Sequence, residues 1–185
     1  MNHFATSKED ILAASRDLIK ENGWAAVSIR AVASRCSVSV GTIYNYYESK
    51  ADLLSDTIES IWHEIFFHPE DEQIFHDVES CISWIYERLE YGNRQFPGFF
   101  SLHSFGFMRD EKTSGKKRMM KTWGHILNGL CEVLGNDPKV RADVFDQEFT
   151  EKKFADILFS LILVSMIRQD YDPSSVLMLV KKTLY

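Results

Sequence analysis

One stretch decides the fold of this chain: residues 28–50, SIRAVASRCSVSVGTIYNYYESK. Ser28 is a residue type that favours helix N-termini, and the apolar side chains after it recur at the i, i+3, i+4, i+7 spacing of one helix face. These inward-facing residues are Ile29, Val32, Ala33 and Cys36. Ser37-Val38 then forms a turn, and Ser39 caps a second, very short helix that ends near Asn45. This arrangement is typical of a helix-turn-helix, which places its second helix in the major groove of DNA.

The short second helix carries apolar and hydrogen-bonding side chains but no charge. Ile43 is predicted to face inward, and the other face presents Val40, Gly41, Thr42, Tyr44 and Asn45. Because Gly41 lacks a Cβ, it allows the backbone to approach bases or phosphates closely. Thr42 offers a hydroxyl and a methyl group, and the Asn45 amide can pair with adenine. We therefore expect this face to contact base edges.

Donors suited to DNA phosphates surround this face. They are Ser28 at a helix N-terminus, the hydroxyls of Tyr44 and Tyr46, and Lys50 at the start of the next helix. The chain as a whole is acidic, with a net charge of -6 and a pI of about 5.5, but residues 1–50 carry six Lys and Arg against five Asp and Glu. The net negative charge therefore excludes a protein that coats nucleic acid through bulk positive charge. It is compatible with a local DNA-binding face in residues 1–50.

The segment Val38–Leu54 resembles the TetR family of bacterial transcriptional regulators, through the pattern V-S-x-G-T-I-Y-x-Y-[aromatic]-x-S-K followed by x-D-L-L. The resemblance extends over roughly residues 8–66. It implies that Arg30 contacts base or phosphate, that the short helix lies in the major groove, and that tyrosines and a lysine hold phosphates. The complete predicted DNA-binding set is Ser28, Arg30, Ser39, Val40, Gly41, Thr42, Tyr44, Asn45, Tyr46 and Lys50. Ser37 stands where the family usually has a turn glycine.

The remaining sequence also predicts helices, so the fold class is all-α. Ser7 caps a first helix that stops at Asn22-Gly23, and Ser49 begins a fourth that ends near Pro69. Further helices are predicted from about Glu72 to Arg94, Lys116 to Leu134, Phe149 to Gln169, and Pro173 to Leu184. We expect residues 1–48 to bind DNA and residues 49–185 to bind an effector and dimerise, with 49–67 as the linking helix.

The helix around Phe154–Ile167 is apolar on every face, which requires burial on all sides. The TetR resemblance implies that the last two helices pair with those of a second subunit as a four-helix bundle, and a two-fold dimer predicts a palindromic site on double-stranded DNA. The alternative is a central helix of a monomer. The predicted dimer interface is Leu158, Phe159, Ile162, Leu163, Met166, Val176, Leu177 and Val180.

Aromatic residues concentrate between Trp62 and Phe107, where Pro97, Gly98 and Gly106 interrupt helix. Most must be core, but loose packing near them favours an apolar cavity for a small hydrophobic or aromatic effector. The predicted pocket residues are Trp62, Phe66, Trp84, Phe100, His103, Phe105 and Trp123, with His103 as a polar anchor. The TetR resemblance implies a repressor that its effector releases from DNA.

Other classes of protein find little support in the sequence. Nucleophile-elbow, phosphate-loop and dinucleotide motifs are absent, and HEIFFH spaces its histidines wrongly for a zinc protease, so we expect no enzyme activity, metal or cofactor. The longest apolar run is too short to span a membrane, and three scattered cysteines fit a reducing, cytoplasmic location. The alternative is a helical interaction or ligand-binding module whose helix-turn-helix no longer recognises DNA.

Overall fold

The structure is a computed structural model that describes residues 6–66, 75–100 and 114–185, with side chains from 123 onward in the last range. Those residues form α-helices joined by turns and one short 3-10 helix, Trp24–Ala26, and no strand occurs among them. The helices are α1 Lys8–Asn22, α2 Ile29–Arg35, α3 Val40–Tyr44, α4 Lys50–Phe66, α5 Val78–Gln95, α6 Ser114–Asn136, α7 Glu151–Arg168 and α8 Ser174–Leu184. The predicted all-α fold class is confirmed.

Capping residues fix the helix boundaries near the N-terminus as the sequence predicts. The Ser7 hydroxyl accepts a hydrogen bond from the Asp10 amide at 3.1 Å, and the Asp10 carboxylate accepts one from the Ser7 amide at 2.7 Å. This reciprocal capping box starts α1. Gly23 ends the helix with a φ of 76°, a conformation that glycine adopts without the steric cost of a Cβ.

Two helix starts differ from the prediction. Helix α5 begins at Val78 rather than near Glu72, because the Asp77 carboxylate accepts a hydrogen bond from the Ser80 amide at 2.8 Å and so caps the first turn. Helix α6 begins at Ser114, two residues before the predicted start near Lys116. Most of the stretch 99–108, predicted to be irregular, lies outside the described residues.

The chain forms two compact units. The first contains Met1–Phe67 and Gly92–Met119, and the second contains His68–Tyr91 and Met120–Tyr185. The first unit therefore holds α4 together with the three N-terminal helices. The predicted functional division at residue 48 remains a prediction. None of the helices in the described part of the chain is long and apolar enough to cross a membrane.

Helices α1 and α4 are held together by an apolar core and by ion pairs along their length. The core residues Ile11, Ile19, Leu53, Ile61 and Ile65 have no exposed surface. The Lys8 ammonium lies 2.5 Å from the Asp56 carboxylate, and the Lys20 ammonium lies 2.7 Å from the Glu64 carboxylate, which Arg16 also contacts at 3.2 Å. Ion pairs near both ends of α1 thus fix the orientation of α4 relative to α1.

A buried carboxylate organises the second unit. Asp137 accepts hydrogen bonds from the Val78 amide at 2.9 Å, the Tyr185 hydroxyl at 2.5 Å and the Lys139 amide at 2.9 Å. It therefore joins the start of α5, the turn after α6 and the end of the chain. Burial, followed by this bond to Asp137, raises the pKa of the Tyr185 phenol, which keeps it protonated as the donor.

Replacing Asp137 with Ala should lower the free energy of unfolding by about 2 to 3 kcal/mol, because three donors would lose a buried acceptor. Urea unfolding followed by circular dichroism measures the change. The matched control is Asp143→Ala in an exposed part of the same connection, which should change stability by less than about 0.5 kcal/mol. Equal effects of the two substitutions would contradict the organising role of Asp137.

Candidate nucleic-acid interface

The first helix of the predicted motif forms as its spacing indicates. The Ser28 hydroxyl accepts a hydrogen bond from the Ala31 amide at 3.1 Å and caps α2, and Ile29, Val32 and Ala33 are buried. Cys36 is only half-buried, with its thiol 3.8 Å from the Asp10 carbonyl oxygen. Burial raises the pKa of the Cys36 thiol, which favours the unreactive protonated form.

The turn keeps a glycine-type geometry without a glycine. Ser37 has a φ of 56°, its amide donates to the Ser34 carbonyl at 3.1 Å, and the Val38 amide donates to the Ala33 carbonyl at 3.0 Å. These two bonds form a Schellman motif, in which the left-handed position usually holds glycine. The serine therefore preserves the turn at a conformational cost on the order of 1 kcal/mol.

Helix α3 has five residues and is fixed by a cap at its N-terminus and by a buried side chain beneath it. The Ser39 hydroxyl accepts a hydrogen bond from the Thr42 amide at 3.1 Å and lies 2.9 Å from the Thr42 hydroxyl. Ile43 has no exposed surface, whereas Val40 and Tyr44 are 38% and 52% exposed. Gly41 and Asn45 are exposed on the same helix. The structure thus presents the predicted side chains of α3 to solvent, apart from the half-buried Thr42.

The two tyrosines after α3 have different roles from each other. Tyr46 is exposed, and its hydroxyl donates to the Thr6 carbonyl oxygen, so that proton is not available to a phosphate in this arrangement. Tyr47, which sequence reasoning did not single out, is 3% exposed and lies beneath the Lys8 ammonium, 5.6 Å from the ring centre. The sequence around Tyr47, YNYY, did not indicate that this tyrosine is buried while its neighbours are exposed.

Cations border the exposed face of α3. Arg30 on α2 and Lys50 at the start of α4 are exposed, and no ion pair involves either among residues with described side chains. Arg35, by contrast, pairs with Glu21. The Ser49 hydroxyl accepts a hydrogen bond from the Asp52 amide at 3.2 Å, which places Lys50 in the first turn of α4. Both exposed cations are therefore candidates for contacts with DNA phosphates.

The predicted pocket residues divide between the two compact units. In the first unit the Trp62 ring centre lies 5.5 Å from that of Phe66 and 5.7 Å from that of Phe100. In the second unit Trp84 contacts Phe75 at 5.2 Å, and Trp123 contacts Phe159 at 5.7 Å. His103 and Phe105 lie outside the described residues. Among the described side chains, no group of three or more His, Cys, Asp or Glu is placed to hold a metal ion.

The predicted dimer interface is mostly buried within a single chain. Leu158, Phe159, Ile162, Met166, Val176 and Val180 are at most 8% exposed, and Leu163 and Leu177 are half-buried. Buried side chains of this kind form the core of the second unit, and their part in a dimer interface stays a prediction. The exposed apolar residues of the same two helices are Ile157, Val164, Ile167, Met178 and Leu179. The all-round apolar pattern of α7 could not tell the two faces apart.

Replacing Ser37 with Gly should raise the free energy of unfolding by up to about 1 kcal/mol, because glycine removes the cost of a positive φ. Thermal or urea unfolding measures this. The matched control is the exposed Ser34→Gly inside α2, which should lower stability by roughly 0.5 kcal/mol through loss of helix propensity. A loss of stability in both variants would contradict the assigned turn geometry.

Comparison with known proteins places this geometry in a family. Residues 11–57 match the family model for bacterial regulatory proteins of the tetR family. Over 47 residues the chain is 47% identical to the HTH-type transcriptional repressor KstR of Rhodococcus jostii and 45% identical to KstR of Mycobacterium tuberculosis. These matches span 25% of this chain and 22% and 21% of those repressors, so the chain matches about a fifth of their length.

Solved structures extend the similarity to nearly the whole fold. FadR of Bacillus subtilis in complex with stearoyl-CoA is 17% identical, with a TM-score of 0.66 over 97% of this chain and 100% of that chain. A TetR-family regulator of Marinobacter aquaeolei is 14% identical, with a TM-score of 0.60 over 87% of this chain and 78% of that one. The TetR family consists of transcriptional regulators, not enzymes. Residues 11–57 of this chain thus match the TetR family, and the whole chain is similar in fold to solved transcriptional regulators, one of them of the TetR family.

Proposed function

We propose that this protein is a transcriptional repressor that binds a palindromic operator as a homodimer and is released by a small hydrophobic or aromatic effector. The observation that carries the proposal is the exposed, uncharged face of α3, held by the fully buried Ile43 within the segment that matches the TetR family. Residues 1–48 bind DNA, and residues 49–185 bind the effector and dimerise. A regulator of bacterial genes acts in the cytoplasm, where the DNA is.

The roles on DNA follow from position and chemistry. Gly41, Thr42 and Asn45 face base edges, with Thr42 also bonded to its cap, while Arg30 and Lys50 contact phosphates. Tyr44 is half-exposed and has the hydroxyl needed for a phosphate contact. Tyr46 supports the site through its bond to Thr6 and contacts phosphate if that bond exchanges.

Support for effector binding comes from chemistry within the first unit and from a related fold. Trp62, Phe66 and Phe100 form an aromatic cluster at the end of α4, the helix whose first turn carries Lys50. FadR of Bacillus subtilis, which shares the fold, is seen in complex with stearoyl-CoA. An effector that binds two conformers of the dimer unequally shifts their populations, and release follows if one conformer no longer matches the half-site spacing.

Dimerisation is proposed through the exposed apolar residues of α7 and α8. Ile157, Val164 and Ile167 are 44 to 50% exposed, and Met178 is 62% exposed. Exposed apolar side chains clustered on two helices mark a surface that another subunit covers. This surface is proposed in addition to the interface residues predicted from the sequence, most of which are buried in the single chain.

Selection of bound duplexes from a random DNA pool, without added ligand, tests the proposal. Enrichment of one palindrome is the expected result, because a two-fold dimer places two α3 helices on successive half-sites. The alternative function, an interaction module that no longer recognises DNA, predicts no enrichment by the folded dimer even after refolding from denaturant to remove any bound ligand.

Replacing Gly41 with Ala should weaken operator binding at least about tenfold while leaving the fold intact. A Cβ at this position meets only the Ser39 hydroxyl at 3.6 Å within the chain, so the cost arises against DNA. Fluorescence anisotropy with the selected duplex and thermal unfolding measure the two effects. The control is Gly124→Ala in α6, where an added Cβ meets nothing within 4 Å; unchanged operator affinity of Gly41→Ala would contradict the contact.

Replacing Val164 with Glu should convert the dimer to a monomer of 21.4 kDa without unfolding it, because the charge would be buried in the proposed interface. Sedimentation equilibrium measures the mass, and circular dichroism checks the fold. The matched control is Lys152→Glu, an exposed charge change on the same helix away from the apolar residues. A Val164→Glu protein that remains dimeric would place the interface elsewhere.

A further inference from the structure

The indole N–H of Trp62 is a buried donor without a hydrogen-bond acceptor in the described part of the chain. Trp62 is 3% exposed, and its Nε1 has no hydrogen-bond acceptor among the described residues. A buried Trp N–H normally finds an acceptor, and one that does not carries a desolvation penalty that calls for an explanation. A ligand that supplies the acceptor is one such explanation.

The surroundings of Trp62 determine what kind of molecule fits beside it. Its ring contacts Phe66, Phe99 and Phe100, with centre-to-centre distances of 5.5, 5.7 and 5.7 Å. Lys20, which lies 5.0 Å from the centre of the Phe96 ring, is already paired with Glu64. Aromatic walls favour flat apolar groups and disfavour an unpaired charge, so the partner of the N–H is an uncharged acceptor.

The same aromatic cluster touches the helix that supports the DNA-binding face. Beyond the Lys20–Phe96 contact, the Trp24 ring centre lies 6.1 Å from that of Phe99. A Cβ built on Gly23, at the end of α1, would lie 3.7 Å from the Pro97 carbonyl oxygen. All of these residues belong to the first compact unit. A shift of the rings around Trp62 therefore acts on α1 directly, in addition to acting along α4.

We propose that the Trp62 N–H is the hydrogen-bond donor that selects the effector, and that the effector is an uncharged aromatic or polycyclic compound with a carbonyl-type acceptor. The inference rests on the proposed function, since it assigns the chemistry of the effector site. Phe66 is half-buried at the last described turn of α4 and stacks on Trp62 with an interplanar angle of 22°. Its ring is the one that a flat ligand displaces to reach the N–H.

A matched pair of probes tests the assignment without DNA. 2-Acetylnaphthalene and 2-ethylnaphthalene have nearly the same size, and only the first has a carbonyl acceptor. We expect the wild-type protein to bind the ketone about tenfold more tightly, as one hydrogen bond to a buried donor provides. Trp62→Phe keeps an aromatic ring and should abolish that preference. Tyr171→Phe, which removes a buried hydroxyl without a partner among the described residues of the second unit, should retain it.

Titration calorimetry measures both affinities, and ¹⁵N-labelled tryptophan gives a direct readout in the wild-type protein. The chain has four tryptophans, so the indole N–H signal of Trp62 can be assigned and followed, and we expect the ketone but not the hydrocarbon to move it downfield. This measurement decides the question even if Trp62→Phe does not fold.

Three results would overturn the inference: equal affinity for the two probes, a ketone preference that survives Trp62→Phe in a folded protein, or binding of neither probe. A Trp62 signal that already shows a hydrogen bond in the free protein would overturn it too, because a trapped water would then satisfy the donor. The probe experiments use no DNA, so their outcome does not depend on the operator selection. Failure of the proposed repressor function can therefore be distinguished from failure of the Trp62 assignment.

Discussion

Burial of a single isoleucine is the constraint on which the DNA-binding face depends. A helix of five residues does not form by itself in water, because nucleation costs more than so few hydrogen bonds return. Ile43, with no exposed surface, contributes about 2 kcal/mol by its burial and fixes the rotation of α3 about its axis. That rotation places Val40, Gly41 and Tyr44 outward together. The serine caps and the turn at Ser37 set where the helix starts, but the buried side chain sets which face it presents.

Helix α4 links this face to the aromatic cluster. Its first turn carries Lys50, and Trp62 lies twelve residues later, about 18 Å along a helix axis. Lys8, at the start of α1, pairs with Asp56, and Arg16 and Lys20, in the second half of α1, pair with Glu64, so α1 and α4 move together. The turn Phe96–Phe100 adds a second set of contacts to α1. The aromatic cluster is therefore linked to the DNA-binding face both through α4 and through α1. Such links suit a protein in which an effector shifts the balance between two conformers.

The sequence predicted those parts of the structure that depend on local chemistry. Helix caps at Ser7, Ser28 and Ser39, the inward Ile43 and the outward Gly41 all follow from residue type and spacing, and the structure agrees. The predicted start of α5 was wrong because the sequence before Asp77 also fits a helical pattern. Only the cap hydrogen bond of Asp77 identifies the boundary. Tyr47 was missed because its burial comes from tertiary packing.

Prediction from the sequence was least successful where a helix is apolar on every side. For α7, periodicity gives no preferred face, so the choice between core and subunit interface needs the folded chain. The exposed set around Val164 was therefore not predictable from spacing. The lack of an acceptor for the Trp62 N–H among the described residues was equally unpredictable from the sequence. Whether a donor has an acceptor depends on residues distant in the chain. The sequence identified the aromatic residues, and the structure showed that the indole N–H groups of Trp62 and Trp123 have no acceptor among the described residues.

The salt dependence of binding to the selected duplex tests the central claim most directly, because it reports whether Arg30 and Lys50, on the helices before and after α3, contact DNA phosphates. Four phosphate contacts, two from each subunit, predict that affinity falls about a hundredfold between about 50 and 200 mM salt, while a shuffled duplex of the same length binds far more weakly throughout. An affinity that hardly changes with salt, or equal binding of the two duplexes, would contradict a protein that recognises DNA through this face.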